Sequence, residues 1–218
     1  MFDTVVTDLK LVPYKGLGID CCKLVVDQAL IIKEIETMVT EKLPLLVEND
    51  NPEINDGVVQ LLELDGIDTL QALEAYVEKQ LLSDMVINQV MREVLDGTRI
   101  TYDDGAIEEQ LEPMIENIKG QAEEQGFTLP FYCDYNGIDS IDALKELYRE
   151  EIRTSYLEIS VLNEIIAREE IMLENNVFQE ALRRYKDNLE ANQEVDEEAI
   201  YMGLAVKEAV NRLVQWNL

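Results

Sequence analysis

The 218-residue chain contains no histidine. That excludes Ser-His and Cys-His catalysis, histidine metal ligands and a histidine pH switch. Cysteine is scarce: Cys21, Cys22 and Cys133 are all there is. Adjacent cysteines rarely bond each other and three cannot all pair internally, so no disulfide framework is implied and no CxxC pair offers zinc ligands. Aromatics make up 6% of the chain, and no run of eighteen apolar residues occurs. The sequence therefore predicts no membrane span and no membrane partner. Positive charge is short as well. Lys and Arg number 18 against 46 Asp and Glu, a formal net charge of -28. A field of that sign repels phosphate backbones, which argues against nucleic acid and against unaided docking to anionic lipid or ribosomal RNA. The start, "MFDTVVTDLK", has no basic stretch leading into an apolar one and does not read as a signal peptide. A cytoplasmic location is expected, or an extracytoplasmic one if a leader has been removed.

Signatures of chemistry are missing too. An EF-hand loop needs oxygen ligands at positions one, three and five before a glycine at six. Counting back from Gly66 or Gly137 places Leu61 or Tyr132 at position one, and Ala143 falls where the bidentate Glu belongs. "GLG" at 16–18 lacks the third glycine of a dinucleotide fingerprint, and no phosphate-loop pattern occurs. Acidic pairs such as Glu108–Glu109 do not stand out from a solvated helix face. The expectation is no enzyme, with no catalytic residue, no metal and no cofactor.

What the chain does contain suits helices. Hydrophobic residues reach 47%, with seven Met, enough for a sizeable core and too much for global disorder. Residues 1–24 are the one β-like part, interrupted by Pro13, Gly16 and Gly18, which reads as an edge strand or an extended arm. "VVDQALIIKEIETMVTEKL" returns apolar residues at helical spacing through Leu30, Ile31, Ile35, Met38 and Val39, and Pro44 ends it. "VENDNPEINDG", Val47 to Gly57, reads as a linker, and a short helix follows through "VVQLLEL". Residues 58–218 then look all-helical, forming long antiparallel hairpins, with Pro113 kinking or restarting one helix. The last helix carries Ile200, Leu204, Val210, Leu213 and Val214.

A repeat runs through this region. Set Asp65–Val94 against Asn136–Ile165, an offset of 71. The identities are Gly66/Gly137, Ile67/Ile138, Asp68/Asp139, Ala72/Ala143, Leu73/Leu144, Val90/Val161 and Glu93/Glu164, seven in all, where chance gives roughly two. The match continues through Ile100/Ile171, Ile107/Phe178 and Leu111/Leu182 without a gap. The paired glycines suit a sharp turn. Asp68 or Thr69, and Asp139 or Ser140, suit helix caps, and Gln71 lies three after Asp68 as in a capping box. Each long helix spans roughly 40 Å and leads into a second helix.

Between the two units lies "GFTLPFYCDYNG", Gly126 to Gly137. Phe127, Leu129, Phe131, Tyr132 and Tyr135 either pack as a local core or short helix, or form a partly exposed apolar surface for unfolded segments. The run from Val90 through this turn to "IIAREEI", Ile165–Ile171, resembles the C-terminal domain of bacterial trigger factor. Gln125–Gly126, Tyr132, Gly137 and Leu144 fall where that pattern wants them. "PEINDGVVQLLELDGIDTLQALEAYVEKQL" resembles the entry to the same domain, and "YKGLGI" with "VVDQALIIKEIETMV" resembles the family's linker. The family's basic ribosome-docking domain and its prolyl isomerase domain have no counterpart in these residues.

The resemblance implies a mainly α, elongated domain with helical-hairpin arms and a short N-terminal β segment. It divides the chain into an extended segment and linker helix (1–46), a linker where the isomerase domain would lie (47–57) and a helical chaperone domain (58–218). It implies an ATP-independent chaperone whose partners are unfolded or partly folded proteins, without ribosome docking. A homodimer stays open. A dedicated scaffold for one folded protein is the alternative, and a peptidyl-prolyl isomerase ranks last. The client-binding candidates are Phe127, Phe131 and Tyr132 at the turn, and Phe178, Leu182, Tyr185 and Leu189 on the helix after the second repeat.

Overall fold

The computed structural model describes residues 5–19, 23–43, 54–187 and 195–217. The fold is mainly α with one small β ribbon. In chain order the elements are β1 (Val6–Lys10), α1 (Gln28–Lys42), α2 (Asp56–Leu61), α3 (Leu70–Gly97), β2 (Arg99–Tyr102), α4 (Asp104–Glu124), α5 (Leu129–Tyr135), α6 (Ile141–Arg168), α7 (Asn175–Asp187) and α8 (Glu197–Asn217). None of the helices among the described residues is long and apolar enough to cross a membrane. Cys21, Cys22, Pro44 and most of the expected linker lie outside the described residues. Two compact units emerge: Met1–Lys15 with Glu93–Gln215, and Gly16–Arg92 with Trp216–Leu218.

The smaller unit is built on α1, α2 and the start of α3. Asp27 caps α1 by accepting from the Ala29 amide, and Ile31, Ile35 and Val39 recur every fourth residue to make its buried stripe. Asn55 caps α2 through the Gly57 and Val58 amides. The Asp56 carboxylate reaches across to the first amide of α3, Leu70, at 2.7 Å. Val59, Leu62, Leu73 and Val77 close the core against the α1 stripe.

The larger unit begins with the ribbon. β1 and β2 pair antiparallel, with Leu9 opposite Ile100, and the Asp103 amide donates to the Val5 carbonyl at 2.8 Å. β2 corrects the expectation of an all-helical 58–218. "RITY" is β-branched and aromatic, and a strand brought from ninety residues away supplies its ladder. Asp103 then caps α4. This helix runs unbroken through Pro113, contrary to the expected restart. Leu111, Ile115 and Ile118 are buried on either side of the proline, and that packing outweighs one lost backbone hydrogen bond.

Helices α4 and α6 form an antiparallel hairpin. Arg149 forks onto Glu108 at 2.5 and 3.1 Å, and Arg153 meets Asp104 at 3.3 Å. The residue numbers of both pairs sum to 257, which is the signature of antiparallel register. Val5, Ile107, Leu111, Ile115, Ile118, Cys133, Leu144 and Ile152 form the core. On α8 the buried stripe is Ala205, Ala209 and Leu213. Of the larger residues expected there, only Leu213 is fully covered.

The repeat is physical. α3 and α6 each have 28 residues and start 71 positions apart, and α4 and α7 also start 71 apart. Gly66 and Gly137 both turn with positive φ, +73° and +70°. Thr69 and Ser140, rather than the aspartates before them, accept the Ala72 and Ala143 amides at 3.2 and 3.0 Å. With Thr69 as the cap, Gln71 sits one position short of a capping box. Leu73 and Leu144 are both fully buried, and so are Val90 and Val161. The equivalence reaches back beyond the glycines: Leu62 and Cys133, also 71 apart, each fill a core.

Candidate functional site

The connection between α4 and α6 carries an exposed cluster of aromatic rings. α4 ends at Glu124, Gly126 past its cap turns the chain with φ +78°, and the Phe127 amide donates back to the Ala122 carbonyl at 2.8 Å. Pro130 sits in the first turn of α5, where its missing N–H costs nothing. α5 closes in the matching manner, with Gly137 past its cap and the Ile138 amide on the Cys133 carbonyl at 2.8 Å. The short helix is thereby tied at both ends.

Phe127, Phe131 and Tyr135 come together on this frame. Ring centroids lie 4.9 Å apart for Phe127–Phe131, 6.2 Å for Phe127–Tyr135 and 6.5 Å for Phe131–Tyr135, within the range of favourable aromatic contact. Phe131 remains 49% exposed and Tyr135 75%. The local sequence carries charge of one sign. Residues 120–144 hold Glu123, Glu124, Asp134, Asp139 and Asp142 and no Lys or Arg. A cleft of about 440 Å³, lined by none of the three rings, opens along Pro130, Cys133, Asp134, Gly137 and Ile138 to the start of α6.

The structure sorts the sequence candidates. Phe127 and Phe131 share the exposed cluster. Tyr132 turns the other way and packs half-buried against the core. Close by, Tyr148 has its hydroxyl pKa pushed up, by burial first and then by Tyr132 and Glu151. Tyr135 takes the third place in the cluster. The spacing of Phe131 and Tyr135 was the available signal, because residues four apart share a helix face, whereas Phe127 precedes α5.

On α7, Phe178 meets Tyr201 edge-on at 5.6 Å, and Leu182 is buried. Tyr185 and Val177 stand half-exposed, and Val177 with Glu180, Ala181 and Arg184 lines a hollow of about 220 Å³. Leu189 lies outside the described residues. The α7 candidates therefore do not form one surface. Among the described residues no group of three or more acidic or sulfur ligands is placed to hold a metal ion, and no buried side-chain polar atom lacks a partner.

No family model matches the chain. Over 168 residues, 74% of the chain, it is 25% identical to the trigger factor of Agathobacter rectalis. The chain is similar to trigger factor. The matched part is 37% of that protein. A solved structure of the trigger factor chaperone, concerned with promiscuous substrate recognition in folding and assembly, aligns with 77% of this chain and 43% of its own at 14% identity and a TM-score of 0.43. The chain thus spans well under half the length of the trigger factors it matches.

Proposed function

We propose that the chain is an ATP-independent holding chaperone that binds unfolded or nascent polypeptide through the aromatic end of the α4–α6 hairpin. The observation that carries the reading is the three-ring cluster, two of whose members face solvent. Exposed rings in such a cluster lose contact with water when an apolar client segment covers them, at about 25 cal/mol per Å². The net charge of -28 keeps a loaded complex in solution. Similarity to trigger factor supports the same role. The proposed chaperone works in the cytoplasm without docking to the ribosome on its own. Proline isomerisation is not part of the role, and a proline-limited refolding assay should show no acceleration.

The test is aggregation of a denatured client followed by light scattering. Near-stoichiometric chain should delay it more than an equally acidic control protein does, and Phe131→Ser with Tyr135→Ser should remove at least half of that delay. No delay over the acidic control would sink the proposal. A pull-down returning one folded protein at fixed stoichiometry would favour a dedicated scaffold.

A further inference from the structure

We infer that Gly126 is a positioning residue for the client surface: its left-handed turn carries Phe127 back onto Phe131 and completes the three-ring platform. This rests on the client-holding role. Phe131 and Tyr135 belong to α5, whereas Phe127 lies in the connection before it. Two backbone bonds fix that connection, the Gly126 amide to the Glu123 carbonyl at 2.9 Å and the Phe127 amide to the Ala122 carbonyl at 2.8 Å. Together they make the paired closure that a glycine past a helix end allows. The first of the three rings is therefore set by backbone geometry, and α5 sets the other two.

Nothing lies within 4 Å of a Cβ built at Gly126. The demand for glycine is thus conformational and not steric. A residue that resists positive φ opens the turn and takes Phe127 out of the cluster without removing any apolar surface. Affinity then falls because the platform is no longer preorganised. The same logic makes asparagine acceptable, since it enters the left-handed region more readily than other side chains.

The experiment measures binding of the full chain to reduced, carboxyamidomethylated lysozyme, which cannot refold, alongside thermal stability and ring-to-ring nuclear Overhauser contacts. Gly126→Ala should weaken binding about fivefold and lose the Phe127–Phe131 contact. Gly126→Asn should stay within about twofold of the parent and keep that contact. Gly66→Ala is the internal control. Its turn has the same sign of φ, +73°, and equally open space, so it should lower stability and leave binding alone. Equal weakening by all three variants, or unchanged binding when the ring contact is lost, overturns the positioning role. If the parent chain itself does not bind the unfolded lysozyme, the client-holding role falls with it.

Discussion

Glu169, at the end of α6, joins two residues of the N-terminal arm. The Tyr14 hydroxyl donates to one carboxylate oxygen and the Lys15 ammonium to the other, both at 2.6 Å. These bonds shift the titration of Glu169 and of Tyr14. The Lys15 and Tyr14 bonds hold the Glu169 carboxyl below its ordinary value. Burial, and then the bond to Glu169, pushes Tyr14 up to about 12. Glu169 favours folding in its ionised form, so its contribution is present above the ordinary carboxylate range and fades as pH falls through its depressed pKa. Tyr14 favours folding when protonated, so its contribution is complete below pH 10 and fades as pH rises toward about 12. Absorbance titration should show a late-ionising tyrosine that disappears in Tyr14→Phe, and that variant should lose part of its resistance to acid as well. None of this was legible in the sequence, since the partners are 155 and 154 residues apart. Tyr135 belongs to the apolar turn visible in the sequence, though not to the client-binding candidates drawn from it. It follows Phe131 by four residues, Tyr132 follows Phe131 by one, and only the helical rotation of α5 decides which ring faces out.

The elements were easier to read where a local cause sets them. The two glycine turns and the two long helices follow from short patterns, and they recur because the pattern recurs. Choosing Thr69 and Ser140 over the preceding aspartates needed the backbone, because one residue's change of register moves the cap. Ser140→Ala and Thr69→Ala should each cost about 1 kcal/mol in chemical denaturation. Leu144→Ala should cost about 2–5 kcal/mol, because the residue is 1% exposed in the core of the larger unit. β2 escaped notice because four residues between two helices make no strand by themselves. Only the distant Val6–Lys10 segment turns them into one. The α8 stripe escaped for the opposite reason: alanine carries little hydrophobic signal, yet two alanines lie at its centre.

At the scale of the whole chain, composition excluded histidine chemistry and left the acidic surface to be placed. The division within α3 was invisible in sequence, since the helical pattern passes straight through Arg92 and Glu93. That division means the larger unit is written in two pieces with residues 16–92 between them. The consequence is one of timing. The core of the smaller unit draws on Ile31 to Val77, while Leu9 must wait for Ile100 before its ladder exists. Closing a loop of that length costs about 4 kcal/mol in chain entropy before any bond repays it. The arm should therefore join after the rest of its unit has condensed. In stopped-flow experiments Val5→Ala should hasten unfolding and leave the folding rate nearly unchanged. A marked slowing of folding would place the arm in the nucleus instead. On a growing chain, the arm, made before the rest of its unit, would be among the last parts of that unit to find its place.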